Sequence, residues 1–260
     1  MRRRSTLDEK SDSCWPYVIS IAGFDPSAGA GVLADIKCFE QHQVYGFGIC
    51  SALTVQTDAS FVSCQWMDAV EIIAQIAPLI DKFRVVCCKI GLIKNVSVLL
   101  KVVSFIKSKN QSIKIILDPV LSSSTGYTFH EWSIAGLKAV LQQLALITPN
   151  YLEMEKLGNG LDPDQTARLY SVYCPVLLKG GHNDRSPGMD ILYMPGNVTE
   201  FESKVKHVCQ KHGSGCVLSA AIAANLALGF LLEEACLRAK DYTADFLNSN
   251  SGLLGYHTLE

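Results

Sequence analysis

Short runs rich in aliphatic residues alternate along this chain with stretches long enough for a helix, and that alternation narrows the fold to crossover units around a largely parallel sheet. "YVISIA" (17–22), "GICSALTVQT" (48–57), "VVCCKIG" (85–91), "IKIILDPV" (113–120), "ALITPN" (145–150) and "PVLLKGG" (175–181) read as strands. Between them, "VLADIKCFEQH" (32–42) turns Val32, Ile36 and Phe39 inward, the spacing at 67–83 predicts a helix capped by Asp68, and 96–109 is amphipathic with its lysines outward. Further helices are expected at 133–144, 151–157, 163–172, 215–229 and 231–248. "GMDILYMPGNVTEFES" (188–203) reads as two strands joined by the turn "MPGN", an antiparallel edge hairpin. The expected architecture is α/β, a central, mostly parallel sheet with helices on both faces. One domain suffices for 260 residues of which 48% are hydrophobic. It is expected over 16–250, between a frayed polar extension (1–15) and a C-terminal tail (251–260).

Composition removes several function classes. A formal net charge of −2 leaves no basic footprint for nucleic acid, and only "MRRR" is locally basic. The apolar run from Val217 to Leu232 falls short of the roughly 20 residues that span a bilayer, and it contains Ser219 and Asn225. It reads as a buried helix, with no membrane partner. Ten cysteines lie scattered through apolar segments without a CxxC pair or zinc spacing, so they are expected to be reduced and mostly core. Met1 to Cys14 has no apolar centre of a secretion signal. A cytoplasmic protein with a small-molecule partner is expected.

The polar residues that could act on such a partner sit at strand ends and glycine turns. Ligands of open parallel sheets lie beyond the carboxyl ends of the strands, so Asp118, Asn150 and Lys179 are expected to face one crevice. In "KHGSGCVLSAAIAANLALGF" a Gly-Ser-Gly turn runs into a helix, leaving unpaired N–H groups at the positive end of the dipole, a site for phosphate. Cys216 stands there, where the same field favours a thiolate able to act as base or nucleophile; position alone equally suits a buried cysteine at the head of a core helix. "GAGVLA" (29–34), with Asp58 downstream, fits a dinucleotide fingerprint, but "GFDPS" separates it from its strand. No Walker A loop is present. His182, His207 and His212 lack metal-ligand spacing and read as turn or surface residues, His212 being the one near the site.

Taken in order, "IAGFDPSAGAGVLADIKCF", "ALTVQT", "KIGLI", "LDPV", "TPNYLE", "LLKGGH" and "HGSGCVLSAAIAA" resemble the ribokinase-like kinases, and among them the hydroxymethylpyrimidine and phosphomethylpyrimidine kinases of thiamine biosynthesis. The resemblance covers Tyr17 to Asn248. It implies the ribokinase-like fold, ATP and Mg²⁺, and phosphorylation of an aminopyrimidine alcohol, its monophosphate, or both. By the same resemblance, Gly23, Asp35, Gln56 and Val120 enclose the pyrimidine, with Gln56 bonding the ring. Cys216 takes the place of the aspartate base of most relatives, and Gly213, Ser214 and Gly215 form the anion hole. Lys179 contacts phosphate, Asn150 and Glu153 lie in the Mg-ATP block, and Asp118 lies near the metal. Relatives of this kind imply a homodimer.

Two departures bear on the site. Ala28 stands where the family carries glycine, and "QKHGSGC" replaces Asn-Thr-His-Gly-Thr-Gly-Cys, so that Lys211 is expected to add a phosphate contact. The alternative acceptor is pyridoxal, pyridoxine or pyridoxamine; an amide at Gln56, which donates and accepts, suits the aminopyrimidine better. More distant alternatives are a dinucleotide-dependent oxidoreductase built on "GAGVLA" and a non-catalytic sensor of the same fold.

Overall fold

The computed structural model describes residues 15–123, 126–129, 132, 134–182, 187–202 and 209–258. The expected frayed extension, apart from Trp15, and His207 fall outside them.

Among the described residues, nine strands form one sheet in the order β3-β2-β1-β4-β5-β6-β7-β8-β9. The parallel centre is β2 (Tyr45–Gln56), β1 (Tyr17–Phe24), β4 (Val85–Ile90), β5 (Lys114–Leu117), β6 (Leu146–Ile147) and β7 (Val176–Leu178). The expected edge hairpin is β8 (Asp190–Met194) and β9 (Asn197–Phe201), antiparallel to each other and to β7. A second antiparallel edge, β3 (Phe61–Trp66) on β2, was not expected from the sequence. Its "FVSCQW" alternates too weakly to stand out beside the long apolar strands.

The central strands are continuously apolar because both faces of the sheet are covered. Ile19, Ile21, Cys88, Ile90, Ile115 and Leu117 point into one core. That core is shared with α2 (Ala69–Lys82), α3 (Val96–Lys109), α4 (Ile134–Leu141), α5 (Tyr151–Leu157) and α6 (Pro163–Ser171). Val18, Cys87, Ile116, Leu146 and Leu177, one position out of phase, join α1 (Gly31–Gln41), α7 (Ser214–Ala227) and α8 (Leu232–Asn248) in the other. Helix α7 lies against β1, β4 and β5 and between α1 and α8. Such a position explains its near-continuous run of buried residues: the helix is enclosed by protein, and no described helix is long and apolar enough to cross a membrane.

Helix starts follow local chemistry. Asp68 and Glu71 form a capping box at α2, as do Asn150 and Glu153 at α5, and Asp162 receives the first N–H groups of α6. The described cysteines are free thiols; Cys38, Cys87, Cys88, Cys174 and Cys236 are buried, while Cys209 is exposed. Residues 250–253, after α8, fold back onto Lys211 and His212, just ahead of α7.

Candidate active site

At the carboxyl ends of the parallel strands lies a cleft of about 960 Å³. Asp118 follows β5, Asn150 follows β6 and Lys179 follows β7, and all three line it together with Gly23, Gln56, Val120, Glu153 and the Gly213–Cys216 turn. Crossover topology produces this convergence: parallel strands end on one side, where the chain must leave the sheet.

The phosphate-binding half is built around Lys179. Its ammonium contacts Asp118 at 2.7 Å and Glu153 at 3.8 Å. Burial works against its charge, but the two carboxylates outweigh that and hold its pKa above the ordinary lysine range. Ser219, on the second turn of α7, donates to the other Asp118 oxygen at 3.2 Å. A β-carbon placed on Gly215 would lie 3.2 Å from the Lys179 ammonium, so a cation sits beside the first turn of α7. That turn begins at Gly213 with φ of +75°, and a side chain there would strike the Gly29 carbonyl at 2.1 Å. Free N–H groups, a helix start and an ammonium together form an anion site.

Cys216 lies in that first turn and lines the cleft. Burial pushes its thiol up to about 11; Asp118 and Asp35 add to this, while the Lys89 ammonium and the Gly31 N–H pull it down. That direction favours the neutral thiol over the thiolate. Helix-start N–H groups help an exposed thiol, but here desolvation is larger, and the thiol is protonated at neutral pH.

The opposite wall comes from the loop after β1 and the end of β2. Gly31, with φ of +61°, approaches the Gly23 carbonyl so closely that a β-carbon would sit 2.1 Å from it. Gln56 donates to Thr54 Oγ1 at 2.9 Å, and Thr54 donates to the Phe24 carbonyl at 2.8 Å. One amide N–H and the amide oxygen of Gln56 are left for a ligand. Ala28 adopts φ of +55°, a left-handed conformation that costs a non-glycine residue about 1 kcal/mol. Asp25 holds the loop there by accepting from the N–H groups of Ser27 and Ala30, each at 2.9 Å.

Three expectations are corrected by position. Asp35, expected at the pyrimidine, is fully buried and does not line the cleft: it pairs with Lys89 at 2.8 Å and accepts from Ser20. An ionised carboxylate in the sheet–helix interior requires such a partner, and Lys89, which the sequence reading passed over, supplies it. Lys211 lines the cleft, but its ammonium is taken up by backbone carbonyls of the C-terminal segment. His212 lies in the turn ahead of α7 and lines the cleft, as expected, but it is buried rather than exposed, its Nε2 lying 2.9 Å from Asp25. His182 lies in a short 3₁₀ turn after Lys179.

Among the described residues no cluster of three or more His, Cys, Asp or Glu side chains is poised to hold a metal. Asp118 and Glu153 nevertheless suit Mg²⁺ that arrives on phosphates, since that ion needs only one or two carboxylates beside phosphate oxygens and water. Residues 29–34 form the end of a loop and the start of α1, packed against the Gly213 turn, rather than a strand-to-helix dinucleotide cradle.

Comparison with known proteins agrees with this geometry. Residues 25–258 match the family model for phosphomethylpyrimidine kinase. A hydroxymethylpyrimidine/phosphomethylpyrimidine kinase of Aquifex aeolicus is 32% identical over 252 residues, covering 93% of this chain and 98% of the relative. Among solved structures, a phosphomethylpyrimidine kinase from Clostridium difficile superposes with a TM-score of 0.73 at 27% identity, over 88% of this chain and 98% of that one. An ADP complex of Bacillus subtilis pyridoxal kinase superposes with a TM-score of 0.77 at 27% identity, over 91% and 93% of the two chains.

Proposed function

Because the chain belongs to the phosphomethylpyrimidine kinase family, we propose that it is a cytoplasmic, ATP- and Mg²⁺-dependent kinase. Its acceptor is 4-amino-5-hydroxymethyl-2-methylpyrimidine, its monophosphate, or both, in thiamine biosynthesis. The observation that carries this reading is one cleft holding Lys179, the Gly213–Cys216 turn and the half-free amide of Gln56.

The acceptor ring rests by Gly23 and Val120, and Gln56 offers it one donor and one acceptor. The ring amine and a ring nitrogen are the complementary pair. With the alcohol as acceptor, the hydroxymethyl oxygen attacks the terminal phosphorus of ATP, the bond to the bridging oxygen breaks, and ADP leaves. Little covalent help is required in such a loose transition state, so position and charge dominate. N–H groups of the Gly213–Cys216 turn and the Lys179 ammonium meet the charge on the migrating group. Asp118 and Glu153 would hold Mg²⁺ arriving with the phosphates, and the ion would supply further neutralisation. The protonated Cys216 thiol orients the hydroxyl, whose proton passes late to an oxygen of the transferring group.

Exposed Leu53, Val55 and Val62 on the β2–β3 hairpin support pairing of two copies, and light scattering should return a dimer mass. Function is tested by Mg-ATP turnover on the aminopyrimidine alcohol, its monophosphate and pyridoxal in parallel. ADP release with formation of the pyrimidine phosphates is expected. Turnover confined to pyridoxal would overturn the acceptor, and no acceptor-dependent ADP release would overturn the kinase reading.

A further inference from the structure

We propose that Lys211 is a positioning residue for phosphoryl transfer, clamping the segment 250–254 against the residues that lead into the Gly213–Cys216 turn. Lys211 is only 6% exposed, and its ammonium donates to the carbonyls of Asn250 and, at 2.7 Å, Gly252. A buried ammonium is costly without hydrogen-bond partners, and the two carbonyls of this segment supply them. These contacts fix the chain just ahead of the anion site.

The neighbouring bonds show how. The next N–H, that of His212, donates to the Leu253 carbonyl at 2.9 Å. The carbonyls are presented by a preorganised turn: Asn250 Oδ1 accepts from the Gly252 N–H at 2.7 Å, and Asn250 Nδ2 donates to the Leu254 carbonyl at 2.9 Å. Leu254 and the His212 ring both pack directly on Gly29, while His212 Nε2 meets Asp25. Farther along, His257 Nδ1 lies 2.9 Å from the Tyr242 hydroxyl, pinning the segment to α8. Three pieces of chain distant in sequence therefore meet at residues 211–213: the loop after β1, the helix start and the C-terminal segment. Gly213 packs within van der Waals contact of the Gly29–Ala30 backbone, so a shift of the 250–254 segment is passed to the N–H groups that meet phosphate.

The activity arm of the test rests on the kinase reading above; the exchange arm does not. Lys211→Met, Lys211→Arg and Asn250→Ala are made in the full chain and compared by melting temperature, steady-state kinetics and amide hydrogen exchange. Lys211→Met is expected to speed exchange at 211–216 and 250–256 together. It should lower kcat about tenfold, the scale of a small misplacement of reacting groups, with the acceptor KM within about twofold. Arginine, which can also donate to two carbonyls, should restore at least about half of kcat. Asn250→Ala leaves Lys211 in place and disturbs only the presenting turn, so it serves if Lys211→Met fails to fold. It should produce the same paired rise in exchange and a smaller fall in kcat. Unchanged exchange at 211–216, or unchanged kcat in a variant whose 250–256 segment has loosened, would overturn the clamp. A wild-type protein without acceptor turnover would instead count against the kinase reading, leaving the exchange arm to decide the clamp.

Discussion

Replacing Cys216 and scanning pH separates a thiolate base from a neutral positioning group. With the thiol near 11, about one molecule in a thousand carries a thiolate at pH 8. Were that thiolate the base, kcat would climb about tenfold per pH unit from 7 to 10, because each unit adds tenfold to the reactive form. Bound ATP brings more negative charge to the turn and would depress the thiolate further. We therefore expect kcat to be flat between pH 7 and 9. Cys216→Ala should lose about a hundredfold, or about 2.7 kcal/mol of transition-state stabilisation, from a hydroxyl left unoriented. Cys216→Ser should lose less than about tenfold, since its hydroxyl can also accept the substrate's hydrogen bond. Neither change should move ATP affinity. ADP release at saturating acceptor is the assay, with calorimetric ATP binding and melting curves as controls. A unit slope of log kcat through pH 8 to 10, abolished in Cys216→Ala, would refute the neutral thiol, and a wild-type rate in the alanine variant would refute any role in the reaction.

Lys89→Met leaves the Asp35 carboxylate without a counter-charge, and with Ser20 as its remaining donor, in a fully buried setting, and should cost about 3–5 kcal/mol, lowering the melting temperature by roughly 10 °C. The double change to Asp35→Leu and Lys89→Met should recover much of that loss; equal melting of single and double variants would show that charge was not the cause. Gln56→Leu should weaken pyrimidine binding by about 1–3 kcal/mol while ATP binding stays near wild type, because ring polar groups lose their partner; equal loss of both affinities, by calorimetry, would reduce Gln56 to a structural part. Burial raises the Glu153 carboxyl from 4.5 to about 7, with Asp118 adding and Lys179 opposing. The native protein then holds a proton that the unfolded chain releases, so urea-unfolding stability should decline as pH rises between about 5 and 7, and Glu153→Gln should flatten that decline.

The alternation of apolar runs and helical spacing is a local property, and it located the central strands, the helices and the β8–β9 hairpin directly. It also placed Asp118, Asn150 and Lys179 at strand ends, from which parallel topology requires convergence. Cys216 and its glycines were legible because a turn running into a helix carries its own electrostatics. Partner choice and desolvation were not legible, because both depend on residues far away in the chain. Asp35 and Lys89 meet across 54 positions, and only the packed interior makes each necessary to the other. Lys211 reads as a phosphate contact until the C-terminal segment returns to accept its protons. The helix start at Cys216 was legible, whereas the desolvation that pushes its thiol up depends on the protein packed around it. Sequence determined which groups reach the cleft's rim through the periods of strand and helix; the tertiary structure decided their charge and orientation, since these are set by the surroundings each group is given.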